Sequence, residues 1–364
     1  MTNRIYGIVY TDTNNNGNRD TGETGVAGVT IALAGINDLG QAINLTTTTG
    51  ASGSYSFLNL RPGTYTVTET QPATLLDGKD NGINATPNRN DSFTASLTPG
   101  SSEAIVNFGE LKPSTITGTV YHDANNDGAK GNTGETGIFG VTIALTGIND
   151  LGQTINLTTT TTTNGTYSFT GLRPGNYTIT EIQPVLWLDG KDTGTNATPN
   201  GNDSFTVSLM SGSTATANFG ELKSATVSGF VYHDINNDGI KGTGETGISS
   251  TPITLTGIND LGQTVNFTTT AAMNGSYSFT GLRPGSYTVT ETQPASWLDG
   301  KDTGANATSN GNDSFTVNLT SGSAAIANFG ELKAATVSGF VFNDANNDSI
   351  KETGDVGVSG TAIT

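Results

Sequence analysis

Residues 53–69 read Gly-Ser-Tyr-Ser-Phe-Leu-Asn-Leu-Arg-Pro-Gly-Thr-Tyr-Thr-Val-Thr-Glu. Apolar and polar residues alternate on both sides of Arg61-Pro62-Gly63. Tyr55 and Phe57 share one face of a strand, and Tyr65 and Val67 share a face of the next. Period 2 with aromatic and β-branched residues marks half-buried strands. Pro62-Gly63 is a strong turn signal between them. The same stretch returns at 165–181 and at 275–291, each time opened by a glycine, Gly165 or Gly275.

The alternation continues outward. Ile31 pairs in phase with Leu33, and Phe93 with Leu97, while Gly35 to Gly40 breaks two strands. About seven strands fall in each copy, near 5–10, 29–34, 43–49, 54–58, 64–70, 92–97 and 104–108. No stretch keeps helical periodicity over ten residues. The expected fold is all-β: tandem Ig-like or transthyretin-like antiparallel β-sandwich domains arranged as a rod. About a dozen large apolar side chains per copy make a small core, marginal without a further brace.

Four landmarks set the period. Asp12, Asp123, Asp234 and Asp344 each open an acidic, Asn-rich loop. Gly-Ile-Asn-Asp-Leu-Gly-Gln starts at Gly35, Gly147 and Gly257, and Asn-Phe-Gly-Glu-Leu-Lys at Asn107, Asn218 and Asn328. The spacing of 110 to 112 residues suits one compact domain and exceeds a solenoid turn. The expected boundaries are 1–112, 113–223 and 224–334, with a partial repeat at 335–364 carrying first strands and an acidic loop. That partial repeat is what a piece of something longer would show. Linkers such as Lys112-Pro113-Ser114-Thr115 are too short to be flexible tethers, so neighbouring repeats are expected partners.

The chain of 364 residues holds 32 acids against 15 Lys plus Arg, a net charge of −17. That excess repels nucleic acid and anionic membranes and attracts cations. No cysteine is present, which excludes disulfide staples and thiolate metal sites. No apolar run approaches the roughly 20 residues of a membrane span, and Met1-Thr2-Asn3-Arg4 reads straight into a strand, so no signal peptide is expected here.

The first acidic loop, residues 12–23, fits the calcium pattern Asp-x-Asn-x-Asn-Gly, five residues, then Glu. Side-chain oxygens of Asp12, Asn14 and Asn16 converge on a hard cation. Gly17 permits the sharp turn, the carbonyl of Asn18 adds a ligand, Asp20 reaches the ion at position 9, and Glu23 closes the shell. The third copy matches with Asp234, Asn236, Asp238, Ile240 and Glu245. The second has Asp123, Asn125, Asp127 and Ala129, but an extra residue delays Glu135. The fourth has Asp344, Asn346, Asp348, Ile350 and Asp355, with Ser349 in place of glycine, and is expected to be the weakest. A strand precedes each loop, so this is calcium-loop chemistry outside a helix-loop-helix. A second acidic group recurs at Asp77, Asp80 and Asp91, at Asp189, Asp192 and Asp203, and at Asp299, Asp302 and Asp313. It reads equally as another cation site or as an Asp-Gly turn neutralised by Lys79. Asp38, Asp150 and Asp260 are explained by hairpin turns.

Residues 118–128, 134–137 and 164–181 together resemble the B-type repeat of serine-aspartate repeat surface proteins, the SdrD B-like domains. The resemblance covers the three full copies and the partial fourth. It implies calcium-stabilised β-sandwiches stacked as stalks of bacterial cell-surface adhesins, with Ca2+ as the bound ion and an extracellular location. It also implies Asp12, Asn14, Asn16, Asn18 and Glu23 as ligands, with their counterparts in each copy. The collagen-adhesin B-type domain is a more distant likeness and implies a Lys–Asn crosslink beside a buried acid. Glu69, Glu181 and Glu291 hold the acid's place and share parity with Tyr65, Tyr177 and Tyr287, but Tyr10, Tyr121, Tyr232 and Phe342 stand where lysine is needed, so no crosslink is expected.

The expected function is that of a calcium-stabilised stalk of an extracellular surface protein or fibre, and not an enzyme. The two histidines, His122 and His233, sit beside loop acids and form no recurring triad. Two alternatives stand beside it. One is a subunit of a head-to-tail filament in which residues 335–364 complete another molecule by strand addition. The other is an adhesin module binding carbohydrate or protein, for which Trp187 and Trp297 are the candidate platforms, although packing against a neighbouring domain explains them more simply. Fourteen Asn-x-Ser/Thr sequons, including Asn84, Asn196 and Asn306, leave glycans open as partners, in a chain rich enough in these residues to produce many by chance.

Overall fold

The structure, a computed structural model, describes residues 3–100, 102–131 and 133–364. Contacts divide the chain into two compact units, Met1–Ser224 and Ala225–Thr364. The first unit holds two β-sandwich repeats. The second holds one more and the partial copy.

In the first repeat the strands are β1 (Asn3–Thr11), β2 (Thr30–Asn37), β3 (Ala42–Thr48), β4 (Ser54–Leu60), β5 (Gly63–Glu69), β6 (Leu76–Asp77), β7 (Asn81–Ile83), β8 (Ala85–Arg89), β9 (Ser92–Leu97) and β10 (Glu103–Leu111). One sheet runs β4-β1-β10-β6, with β7 also on β10, and the other runs β3-β2-β5-β9-β8. The alternation read from residues 53–69 is what the fold uses. Tyr55, Phe57, Tyr65 and Val67 are buried, and Phe93, Val106 and Phe108 close the core from both sheets. The other repeats bury the equivalent residues.

Two features depart from the strand reading. The short strands β6, β7 and β8 lack an alternating pattern, and the expected list omits them. Neighbouring strands are antiparallel except for one pair: β1 runs parallel to β10, with Ile5 opposite Ala104 and Val9 opposite Phe108. This close parallel seam explains Gly7. A Cβ built on it would lie 1.6 Å from Val106 O. Gly118 and Gly229 meet the same constraint, each at 1.7 Å from a carbonyl oxygen.

Asn107 also serves this seam. Its Oδ1 accepts from Ile8 N at 3.1 Å, and its Nδ2 donates to Asn81 Oδ1 at 2.9 Å. Asn218 and Asn328 brace Thr119 N and Phe230 N in the same way.

In residues 335–364 only Phe342–Asn343 and Val356–Gly357 pair. The expected first strand does not form over 335–341, where Val337 and Phe340 are exposed. In the complete repeats that strand lies between a fourth and a last strand, and residues 335–364 contain neither.

Candidate metal centres

The acidic loop begins where β1 ends. Asp12 is fully buried, and its N–H donates to Glu110 O at 2.8 Å. Asp12 Oδ2 accepts from Gly17 N at 2.7 Å and Oδ1 from Asn16 N at 3.2 Å. Asn14 Oδ1 accepts from Asn16 N at 3.1 Å, and Asn16 Oδ1 from Asn18 N at 2.6 Å. Glu23 folds back across the loop, taking Thr13 N at 2.7 Å and Asp20 N at 2.8 Å. Asn14 and Asn16 both donate to Asp20 Oδ2 at 2.8 Å. Hydrogen bonds thus link positions 1, 3, 5, 9 and 12: 1 and 3 accept from the N–H of 5, the amides of 3 and 5 reach the carboxylate of 9, and 12 accepts from the N–H of 9.

The turn needs two left-handed residues, Asn15 at φ 54° and Gly17 at φ 80°. Asparagine is among the few residues besides glycine that enter that region routinely. Asn126, Asn237 and Asn347 repeat it at φ 57°, 56° and 59°. Ser349 holds φ 66° without being glycine, so the fourth loop carries strain the others avoid.

The other loops keep the pattern. Asp123 accepts from Asp127 N and Gly128 N, Asn125 from Asp127 N, and Asp127 from Ala129 N. Glu135 reaches Gly131 N at 3.0 Å despite the inserted residue. Asp234, Asn236 and Asp238 cradle Asp238 N, Gly239 N and Ile240 N, and Glu245 takes Ile235 N and Gly242 N. In the fourth copy Asp344, Asn346 and Asp348 hold Asp348 N, Ser349 N and Ile350 N, and Asp355 takes Ala345 N and Glu352 N. Glu352, unnamed in the sequence reading, stands where Asp20 does and accepts from Asn346 at 2.8 Å. Asp344 is partly exposed, whereas Asp12, Asp123 and Asp234 are fully buried.

The second acidic group is larger than the sequence reading made it. Asp77, Asp80 and Asp91 place one carboxylate oxygen each within 4.8 Å of the others. Asp91 also joins Glu69 and Glu110 under the same limit, making one pocket of five acids. Glu69 and Glu110 lie on β5 and β10 and are 4% and 0% exposed. Glu69 Oε1 and Oε2, Glu110 Oε1, Asp77 Oδ1 and Asp91 Oδ1 are buried without a hydrogen-bond partner. Gln71 donates to the other Glu110 oxygen. No ion pair among the described residues reaches these five acids, so Lys79 does not neutralise them. The pocket recurs with Glu181, Asp189, Asp192, Asp203 and Glu221. In the third repeat, Glu291, Asp313 and Glu331 group together. The missed residues were Glu110, Glu221 and Glu331. The available signal was a single acid inside a buried, repeated Asn-Phe-Gly-Glu-Leu motif.

Burying charge without a partner is costly, so such groups either hold protons or face a cation. Burial pushes Glu69 and Glu110 upward from the ordinary carboxylate range, and their negative neighbours add to it. Asp80, Asp192 and Asp302 are pushed up to about 7, mainly by burial, although N–H donors of Gly109, Gly220 and Gly330 oppose the shift. Burial likewise raises Asp12. The pocket fits a divalent ion. Its donors are all oxygen, and oxygens bound to one calcium at roughly 2.4 Å stand at most about 5 Å apart. In the pocket, either Glu69, Asp91 and Glu110 or Asp77, Asp80 and Asp91 would hold an ion, and in the loop Asp12, Asn14, Asn16, Asp20 and Glu23 would. When bound, it supplies the positive charge these oxygens lack.

The two centres are stitched together. Lys79 N donates to Asn15 Oδ1 at 2.8 Å, and Asn81 Nδ2 to Gly17 O. Thr193 and Thr303 take the place of Asn81, reaching Gly128 O at 2.9 Å and Gly239 O at 2.6 Å.

A sequence model described as the SdrD B-like domain matches residues 3–110, 114–222 and 225–330. The chain belongs to the SdrD B-like domain family. Serine-aspartate repeat-containing protein F of Staphylococcus epidermidis is 32% identical over 392 aligned positions, covering 98% of this chain and 21% of that protein. Serine-aspartate repeat-containing protein D of Staphylococcus aureus strain MW2 is 32% identical over 284 positions, covering 75% of this chain and 20% of that protein. The chain thus spans about a fifth of these curated relatives. Among solved structures, the major pilin subunit BcpA of Bacillus cereus aligns over 91% of this chain and 99% of its own, at 12% identity and a TM-score of 0.39. The Bacillus anthracis TIE protein aligns over 91% of this chain and 51% of its own, at 15% identity and a TM-score of 0.40. Among the described residues, no helix is long and apolar enough to cross a membrane.

The tryptophans of these SdrD B-like repeats pack on their own domains. Trp187 lies against the core of its repeat, with His122 at 5.4 Å and Lys223 at 5.5 Å from its ring. Trp297 repeats this with His233 and Lys333. Each ring packs on its home core, a partner the sequence reading did not name.

Proposed function

We propose that this chain is a calcium-braced stalk segment of an extracellular bacterial surface protein, and not an enzyme. Each repeat takes calcium in its acidic loop and in its five-acid pocket. One observation carries this reading. Glu69, Glu181 and Glu291 are each buried with both carboxylate oxygens unpartnered, beside further acids. A protein whose task is mechanical gains from such sites, because an ion bound only by the folded chain adds its binding energy to stability. Membership of the SdrD B-like family supports the surface location.

Metal analysis of the full chain after gel filtration, with limited proteolysis in calcium and in chelator, tests it. More than one calcium per repeat and protection by calcium are expected. A chain that retains no calcium and is cut equally in both conditions ends the proposal.

A further inference from the structure

The Arg-Pro-Gly turn and the Asn-Asp hairpin meet in every repeat. Arg61 grips Asp38, Arg173 grips Asp150, and Arg283 grips Asp260, at 2.6, 2.6 and 2.7 Å. The first two pairs share this geometry but differ in cover. The side chains of Arg61 and Asp38 are 49% and 37% exposed, and those of Arg173 and Asp150 are 15% and 12% exposed. The cover in the second repeat comes from the first. Arg173 Nη2 donates to Asp77 O at 2.7 Å, and Asn15 Nδ2 donates to Asp150 Oδ2 at 2.8 Å.

Both partners are parts of the candidate metal centres. Asp77 is an acid of the buried pocket, and its carbonyl is the atom Arg173 holds. Asn15 is the left-handed residue of the calcium-type loop, and its Oδ1 takes Lys79 N at 2.8 Å. One asparagine therefore ties together the loop, the pocket segment and the next repeat. On the other side, Arg173 is fixed by two bonds to Asp150, at 2.6 and 2.8 Å, and its carbonyl accepts from Tyr177 OH at 2.8 Å. A planar, bidentate guanidinium is a rigid connector that lysine cannot reproduce.

We propose that Asp150 and Arg173 form a clasp on the metal-loop end of the preceding repeat, so that the order of both acidic centres in repeat one sets the orientation of repeat two. Arg173 is a positioning residue in this scheme. The clasp rests on the reading that those centres take calcium. Its partner surface is defined by chemistry: a backbone carbonyl of the acidic pocket and an asparagine amide of the loop. When the loops lose their shape, Asp77 O and Asn15 Nδ2 leave their places and the clasp opens.

The chain has no cysteine, which allows clean double labelling. Nitroxides at Thr46→Cys and Thr158→Cys, both exposed, report the distance between the two repeats of the full chain. The expected result is a narrow distribution in calcium and a broad one in chelator. Arg173→Ala should lose the narrow component in calcium while bound calcium stays at the parent level. Arg61→Ala removes the exposed copy of the same pair and should leave the distribution narrow. This control separates clasping from a turn-stabilising role. Asn15→Gly keeps the left-handed backbone, deletes the amide, and should broaden the distribution as Arg173→Ala does. Arg173→Ala and Asn15→Gly both staying narrow with calcium bound would overturn the clasp alone. A chain that binds no calcium, with one distribution in both buffers, would overturn the calcium reading and the coupling with it.

Discussion

Glu69 and Glu110 place carboxylate oxygens within 4.8 Å of one another inside the first repeat, and Glu69 Oε1, Glu69 Oε2 and Glu110 Oε1 have no hydrogen-bond partner. They stand on adjacent layers, Glu69 opposite Ile31 on one sheet and Glu110 opposite Thr11 on the other. Two buried acids this close cannot both be charged without a counter-charge. The pocket is therefore unfavourable when empty and ionised, and favourable when protonated or filled.

Replacing one acid should have opposite effects in the two states. Glu69→Gln removes the cost of protonating this buried acid and should stabilise the chelated protein at neutral pH by about 1–3 kcal/mol. In calcium the same change deletes a ligand and should lower stability relative to the parent. Chemical denaturation of both proteins in both buffers checks the crossing. A variant destabilised equally with and without calcium would show that Glu69 is only a packing residue.

The same pocket sets a pH dependence. Burial pushes Asp80, Asp192 and Asp302 up to about 7 from an ordinary value of 3.8. A carboxyl with a raised folded pKa binds its proton more tightly in the folded chain, so its stabilising contribution is complete below the unfolded value. That contribution is lost as pH rises through the folded value. The chelated protein should therefore lose stability between about pH 4 and pH 7. Calcium competes with those protons, so in millimolar calcium the decline should flatten or reverse. Melting curves across this range decide it, and a flat chelated profile would count against the pocket.

The fourth loop tests the turn chemistry. Ser349 sits at φ 66° where the other loops have glycine. Ser349→Gly should relieve roughly 1 kcal/mol of backbone strain. The gain should appear as tighter calcium binding at that loop, read by titration calorimetry of the full chain. An unchanged isotherm would mean the strain is absorbed elsewhere.

The parallel seam makes a sharper prediction. A Cβ at Gly118 would meet Ala217 O at 1.7 Å and Tyr167 Oη at 2.4 Å. Backbone cannot give way as a flexible side chain can, so Gly118→Ala should cost about 3 kcal/mol or more. Denaturant unfolding of the variant in calcium is the measurement, and a loss under about 1 kcal/mol would contradict the seam.

What the sequence disclosed follows from how local each signal is. Alternation at Tyr55, Phe57, Tyr65 and Val67 lies within one strand, so strands and sandwich were legible. The parallel pairing of β1 with β10 joins residues about a hundred positions apart, and no local pattern encodes its direction. The twelve-residue loop was legible because all its ligands fall in one contiguous stretch at fixed short intervals. The five-acid pocket draws on β5, β6, β10 and the segments between, so Asp77, Asp80 and Asp91 were readable as a group while Glu110 was not. Glu69 was read as buried from its strand parity, and it is, at 4% exposure. Asn15 carried no signal, because its partners Lys79 and Asp150 lie on two other segments, one in the next repeat.

Thermal unfolding of the full chain in chelator, with calcium then added in steps, tests the central claim most directly. The account predicts a melting temperature that climbs steadily with free calcium, because the ion binds the folded repeats and not the unfolded chain. A melting temperature that stays the same from chelator to millimolar calcium would contradict it.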